Sequence, residues 1–278
     1  MTDQYAVIGN PIRQTKSPYI HKTFADQTGQ DLVYTAIDGP LGGFRQAADA
    51  FRAAGGCGMN ITAPFKLDAF EYATDLSEQA RLAGAVNALK FEGKKIYAQN
   101  FDGIGLVRDI VHNLGFPMQG KRVLLLGAGG AARGAMLPFL KENPARLLIV
   151  NRTVSKAELI FEQFSPYAGS CRFTFGSYPD LGNMAEKFDM VINATSASLY
   201  GELPPVHTCV FDPDCLAYEL AYGKGLTPYM RLARGAGAGR LSDGVGMLVE
   251  QAAEAFEWWR GIRPTTQAMI AALTVPLE

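Results

Sequence analysis

Short apolar runs and amphipathic stretches take turns along the first hundred residues. "YAVIGNP", "LVYTAID" and "CGMNITAP" read as strands, while "SPYIHKTFADQTG", "GGFRQAADAFRAAGG" and "FKLDAFEYA" read as helices. That alternation is the signature of an α/β sheet. "LSEQARLAGA" adds a helix, and "VNALKFEGKKIYAQN" predicts two strands joined by a tight turn around Glu92 to Lys94. Pro64 predicts a helix start that places Lys66 in the first turn.

Ile104, Val107, Ile110, Val111 and Leu114 then recur at helical spacing, so "GIGLVRDIVHNLG" predicts an amphipathic connector that stops at Gly115. A second alternating series follows in "RVLLLGAGG", "AARGAMLPFLKE", "ARLLIVNR", "SKAELIFEQF", "CRFTFG", "FDMVINAT" and "CLAYELAY". Its strands are nearly all apolar, as expected when both faces of a parallel sheet are covered. The domain boundary is therefore expected near residue 102. After the glycine-rich "RGAGAGR", one helical stripe carries Val245, Leu248, Val249, Ala252, Phe256 and Trp259, with no new strand series behind it. This closing helix must pack on an existing layer.

Length agrees with two domains, since 278 residues divide into about two units of ~150. The 26 basic and 27 acidic residues leave a formal net charge of -1, which creates no field to gather nucleic acid or an anionic membrane. Small molecules are the expected partners. No apolar run approaches the ~20 residues of a membrane span, and "MTDQYAVIGN" lacks the basic-then-apolar pattern of a secretory signal. The expected location is cytoplasmic. Cys57, Cys171, Cys209 and Cys215 are scattered and read as reduced, buried, small apolar side chains, with no metal site expected. His21, His112 and His207 stand in unrelated contexts, so acid-base chemistry falls to Lys, Asp or Tyr.

The strongest single motif is "VLLLGAGGAARGAML". Gly127, Gly129 and Ala132 stand in GxGxxA spacing between an apolar strand and a helix, where the backbone can approach a pyrophosphate at the helix end. A sheet with this motif is a dinucleotide-binding, Rossmann-type fold. The next strand chooses the dinucleotide. An NAD site usually carries Asp or Glu at that strand's end, whereas "LLIVNRTVSKAE" offers Asn151, Arg152, Thr153 and Lys156. Two cations and two short polar side chains suit a 2′-phosphate, so NADP is the expected cofactor. A capping box from Ser155 to Glu158 explains those two residues but leaves Arg152 unexplained. A third strand end, "VINATSAS", supplies Asn193, Thr195 and Ser196, read either as a wall for the nicotinamide or as ordinary turn chemistry.

Lys66 needs its own explanation. A cation in a helix's first turn meets the positive end of the dipole, at a cost of roughly 0.3–1 kcal/mol when exposed. If a hydride reaches a carbonyl carbon, the developing alkoxide needs a positive charge or proton donor, and Lys66 supplies both. Asp102, in "AQNFDGIG", is either a helix cap or a carboxylate partner for that lysine.

"AVIGNPIRQTKSP", "MNITAPFK", "LAGAVNAL", "NFDG", "LLLGAGGAARG", "NRTVSKAE", "VINATS", "AYGKGLTP" and "DGVGMLVEQAAEAF" together resemble the successive motifs of shikimate dehydrogenases, over nearly the whole chain. The resemblance implies reversible, NADPH-dependent reduction of 3-dehydroshikimate to shikimate in aromatic amino acid biosynthesis. It implies Lys66 and Asp102 as the catalytic pair, and Thr15, Ser17, Asn60, Thr62, Asn87, Tyr222 and Gln251 as substrate contacts. With it, the expected cofactor set is Gly127, Ala128, Gly129, Gly130, Ala131, Ala132, Asn151, Arg152, Thr153, Lys156, Asn193, Ala194, Thr195, Ser196, Gly244 and Met247. The implied architecture is two α/β domains. Residues 1–102 and 243–278 form a substrate domain to which the C-terminal helices return, and residues 103–242 form a Rossmann-type, doubly wound NADP domain.

The chain departs from the family's pattern in three places. Thr15 replaces the commoner serine, Phe101 stands where threonine is frequent, and Lys156 stands where arginine is frequent. Thr15 keeps open a quinate/shikimate dehydrogenase of broader specificity. A non-catalytic NADP-binding regulator would have no need of Lys66 and Asp102 together, and a folate-linked dehydrogenase no need of Thr15, Ser17 and Tyr222. A monomer or homodimer is expected.

Overall fold

A computed structural model describes residues 2–277. Its contacts divide the chain into two units, residues 2–105 with 248–271 and residues 106–247 with 272–277. The terminal segment joins the second unit because Arg234 donates to the Leu277 carbonyl and Leu277 packs on that unit's apolar core.

In the first unit the chain order is β1 (Asp3–Gly9), α1 (Ser17–Thr28), β2 (Leu32–Asp38), α2 (Phe44–Ala53), β3 (Gly56–Ile61), α3 (Lys66–Tyr72), β4 (Asp75–Leu76), α4 (Glu78–Ala83), β5 (Ala88–Glu92) and β6 (Lys95–Gln99). The sheet runs β2-β1-β3-β5-β6-β4. β1 pairs parallel with β2 and β3, whereas β5 is antiparallel to both β3 and β6. The β5–β6 hairpin turns through Gly93 and Lys94, as the alternation predicts. One face buries Ile8, Phe44, Met59, Phe65 and Leu89 under α2 and α3. Across the other, Tyr5, Ala88, Phe101, Ala255 and Trp259 form a second apolar cluster. Trp259 donates its indole N–H to Leu89 O at 3.0 Å and lies so close to Gly58 that a Cβ there would stand 2.6 Å from the indole nitrogen.

After α5 (Asp102–Arg108) and a π-helical turn over Asp109–Asn113 come β7 (Arg122–Leu126), α6 (Gly130–Lys141), β8 (Arg146–Val150), α7 (Val154–Phe164), β9 (Arg172–Gly176), α8 (Tyr178–Gly182), β10 (Phe188–Asn193), β11 (Phe211–Glu219), α9 (Pro228–Gly235) and β12 (Arg240–Asp243). Then follow α10 (Val245–Arg260) and α11 (Gln267–Leu273). The sheet order is β12-β11-β10-β7-β8-β9, with every pairing parallel. That is the doubly wound order, which reverses direction between β7 and β10 and opens a crevice at their carboxyl ends.

Two strands escape the apolar pattern. β4 is only two residues long, and "RGAGAGR" leads into β12 rather than directly into the closing helix. Of the predicted stripe on α10, Val245, Val249, Ala252, Phe256 and Trp259 are buried and Leu248 is half-buried. Of the four cysteines, all free, Cys171 and Cys215 are buried but Cys57 and Cys209 are only half-buried, a correction to the reading of all four as core. No helix among the described residues is long and apolar enough to cross a membrane.

Candidate active site

Two groups of expected residues fall in different units. In the first, a turn over residues 63–65 carries the chain from the end of β3 into α3 and makes Lys66 its first residue. Pro64 lies in that turn, two residues ahead of the helix rather than at its first position. Lys66 Nζ donates to Asp102 Oδ2 at 2.5 Å, with 34% of the lysine side chain and 17% of the aspartate side chain exposed. A charge-assisted bond of this kind offsets the poor placement of a cation at a helix start.

Asp102 opens α5, but side chains engage both of its oxygens. Oδ1 accepts from Asn87 Nδ2 at 2.8 Å while Oδ2 takes the lysine. The capping falls instead to Asn100, whose Oδ1 accepts the Asp102 N–H at 3.1 Å.

Asn87 is the hub of the cluster. It is buried, its Oδ1 accepts the Phe101 N–H at 2.8 Å, and its Nδ2 reaches Gln251 Oε1 at 3.3 Å. Asn87 thus holds the backbone next to Asp102, and the buried Phe101 ring packs edge-on against Trp258. The Asn87 carbonyl accepts from Asn60 Nδ2 at 3.2 Å, and Asn60 Oδ1 accepts the Tyr34 hydroxyl at 2.7 Å. Ser17 lies beside Tyr34, and Thr15 Oγ1 donates to Ser17 Oγ at 3.2 Å. Thr62 follows β3, half-buried, with its N–H on Ile8 O. Thr15, Ser17, Asn60, Lys66, Asn87, Asp102 and Gln251 thus belong to one unit and are joined through short polar contacts.

Sequence reasoning missed Tyr34 and His21. The His21 ring stacks on Tyr34 with centroids 4.1 Å apart and planes 4° from parallel. Burial lowers its pKa from the ordinary 6.5 to about 3, with the nearby Asn60 amide opposing weakly. Neither ring nitrogen makes a hydrogen bond of good geometry. A neutral, stacked ring shapes the floor under Tyr34 and Asn60. Its only sequence signal was a histidine four residues after Ser17, on the buried side of α1.

In the second unit, the loops after β7, β8 and β10 surround a cleft of about 460 Å³. Gly127, Ala128, Gly129, Gly130, Ala131, Asn151, Arg152, Thr153, Lys156, Ala194, Thr195 and Ser196 all line it. Gly127 has φ +101°, and a Cβ there would stand 3.0 Å from Thr195 Cγ2 and 3.2 Å from Ala194 O. A side chain would therefore fill the floor of the cradle, which suits backbone approach to a pyrophosphate at the start of α6. Asn151 ties the loops together, its Oδ1 accepting from Ala128 N–H at 3.2 Å and its Nδ2 donating to Thr153 O at 2.9 Å. The capping box from Ser155 to Glu158 does not form: α7 starts at Val154, with Thr153 before it. Arg152 and Lys156 are exposed and in no ion pair among the described residues, so both charges are available to a phosphate dianion. The donor set fits NADP.

Four expected cofactor residues do not line this cleft. Ala132 is buried inside α6, Gly244 packs against Leu220 O, and Met247 is half-buried in the first turn of α10. Asn193 is buried beneath the loop, where Nδ2 donates to the Glu219 carboxylate and Oδ1 accepts from the Thr195 hydroxyl at 2.7 Å. It braces the wall from beneath. Tyr222 follows β11 in the second unit, 45% exposed. Tyr178, Glu202, Leu203, Pro204 and Pro205 line the cleft without having been expected. "GELPP" has no periodicity that would have flagged it. Burial pushes the Tyr178 phenol up to about 12, opposed by the neighbouring Arg152 charge. Among the described residues, no group of three His, Cys, Asp or Glu side chains is arranged to hold a metal.

Residues 7–89 match a family model for the shikimate dehydrogenase substrate binding domain, residues 109–201 one for shikimate / quinate 5-dehydrogenase, and residues 244–274 one for the shikimate 5′-dehydrogenase C-terminal domain. Shikimate dehydrogenase (NADP(+)) from Chromobacterium violaceum is 52% identical over 270 residues, 96% of each chain. The crystal structure of an Ael1 enzyme from Pseudomonas putida is 57% identical, with a TM-score of 0.94 over 99% of this chain and 100% of that one. Shikimate 5-dehydrogenase from Thermus thermophilus, in complex with NADP(H) and shikimate, is 26% identical, with a TM-score of 0.84 over 98% of each chain.

Proposed function

The chain belongs to the shikimate dehydrogenase family, and on that premise we propose that it catalyses the reversible, NADPH-dependent reduction of 3-dehydroshikimate to shikimate. The observation that carries this reading is the 2.5 Å bond from Lys66 Nζ to Asp102 Oδ2, inside the unit that also holds the Thr15–Ser17 hydroxyl pair and the Asn60–Asn87 amides. A non-catalytic NADP-binding regulator has no use for an ammonium and a carboxylate held together in this way.

NADPH, when bound, supplies the hydride. Lys66 then gives a proton to the substrate's carbonyl oxygen as charge builds on it, and in the reverse direction takes the proton of the corresponding hydroxyl. Asp102 holds the ammonium in place, while Asn87 fixes the carboxylate's other oxygen, so the donor is oriented before substrate arrives. Thr15 and Ser17 hold the substrate carboxylate, with Asn60, Thr62, Asn87, Tyr222 and Gln251 as its other contacts. Gly127, Ala128, Gly129, Gly130 and Ala131 hold the pyrophosphate; Asn151, Arg152, Thr153 and Lys156 hold the 2′-phosphate; Ala194, Thr195 and Ser196 border the remainder of the cofactor. Roles for Ala132, Asn193, Gly244 and Met247 are then indirect. The substrate-binding domain is assigned to residues 1–102 and 243–278 and the NADP-binding domain to residues 103–242. We place the reaction in the cytoplasm and the enzyme as a monomer or homodimer.

The test is to mix the pure protein with shikimate or quinate and with NADP⁺ or NAD⁺, following the absorbance of reduced nicotinamide. Shikimate with NADP⁺ is expected to give the fastest turnover. Equal rates with quinate would favour the broader dehydrogenase that Thr15 keeps open, and no rate with any pair would reject the enzyme.

A further inference from the structure

β10, β11 and β12 end in register, with Asn193 opposite Glu219 and Glu219 opposite Asp243. Two carboxylates therefore stand side by side at the carboxyl edge of the sheet. Glu219 is 0% and Asp243 8% exposed, and neither has an ion-pair partner among the described residues. A buried acid without a cation is costly unless donors satisfy its oxygens. Here the donors come from the loops above. Glu219 Oε1 accepts the Ala221 N–H at 3.3 Å, and Oε2 accepts the hydroxyls of Ser198 and of Thr227, the latter at 3.2 Å; Asn193 Nδ2 bonds both oxygens. Asp243 Oδ2 accepts the Gly223 N–H at 3.1 Å, and Oδ1 the Val245 N–H at 3.2 Å.

The two amides so held flank a single residue. Ala221 precedes Tyr222 and Gly223 follows it, while the Tyr222 side chain itself stays exposed. We infer that Glu219 and Asp243 are positioning residues for substrate binding: they clamp the backbone on either side of Tyr222 and so fix the direction of its ring. The inference rests on the reading that Tyr222 touches substrate. Neither carboxylate touches substrate itself; each acts through the peptide it holds.

A double-mutant cycle separates this from a structural role. Asp243→Asn keeps the shape but leaves only one acceptor oxygen for two N–H groups, and Glu219→Gln is the matching change on the other side. In the otherwise unaltered enzyme, Asp243→Asn is expected to raise the KM for shikimate about tenfold, the worth of one lost hydrogen bond, with kcat changed less than about threefold. In a Tyr222→Ala background the same change is expected to add less than about twofold. If Asp243→Asn raises KM as much with Tyr222 absent as with it present, the clamp is wrong. A Tyr222→Ala protein with an unaltered shikimate KM would sink the assignment of Tyr222 to substrate, and the inference with it. Should Asp243→Asn fail to fold, the cycle is run with Glu219→Gln. Amide exchange at Ala221 and Gly223, measured by NMR, is a readout independent of activity: it should quicken in the variant that lost the corresponding acceptor, and unchanged exchange in both would also overturn the clamp.

Discussion

The two units build their sites in opposite ways. In the first, side chains do the work: Asn60, Lys66, Asn87, Asp102 and Gln251 come from a strand, a helix start, a loop and two further helices, and meet through hydrogen bonds of 2.5 to 3.3 Å. In the second, backbone does most of it: the loops after three adjacent parallel strands open one cleft, and few of the lining residues carry long side chains. The difference separates two tasks. A proton must leave from one atom held at one place, which needs converging side chains. A dinucleotide needs a long run of donors and close approach, which a sheet edge and a glycine turn provide. Substitutions in the Lys66–Asp102 cluster should therefore act on turnover, and those in the dinucleotide cleft on cofactor affinity.

The sharpest way to break that contrast is Asp102→Ala. It frees the lysine and the Asn87 amide together and should lower turnover by ~10²–10⁴ with NADPH affinity unchanged. Near-normal turnover in steady-state assays would show that the pair is structural. Arg152→Ala comes next. Losing a charge-assisted bond of about 1.5–3 kcal/mol should weaken NADPH by ~10–10²-fold and leave NADH nearly untouched; equal losses for both cofactors, read by fluorescence titration, would remove the 2′-phosphate from the start of α7.

The smallest effect concerns stability. His21 is held neutral, its folded pKa of about 3 lying below the ordinary 6.5. Between those values the unfolded chain binds the extra proton, so stability falls as pH falls, by up to about 1.4 kcal/mol per pH unit from this residue. His21→Phe keeps the stack on Tyr34 and should flatten the pH dependence of denaturant unfolding between about pH 4 and 6. A wild-type slope retained in the variant would mean that the proton is taken up elsewhere.

Much of this was legible from residue order, for physical reasons. Both faces of β7, β8 and β10 are covered, so each is nearly all apolar, and the glycine turn after β7 is contiguous in sequence. Lys66 stood out because a cation sits poorly at a helix start. β4 and β12 were invisible because two residues carry no period and "RLSD" has one apolar side chain; pairing with β6 and β11 makes them strands. Tyr34 and His21 went unseen because their burial is decided by α1 and α10 packing on the sheet, which no local pattern encodes. The orientation of Asn193 stayed open in the sequence for a related reason. Strand ends alternate between facing the ligand and facing inward, and only the buried Glu219 opposite it settles which way it turns.

The claim on which the account rests is that the Lys66 ammonium carries the proton. Lys66→Ala, assayed for 3-dehydroshikimate reduction at saturating NADPH beside a direct measurement of its NADPH dissociation constant, tests it most directly. Turnover lowered ~10²–10⁴-fold with that constant unchanged is the predicted result. Turnover within a few-fold of the unaltered enzyme would contradict it.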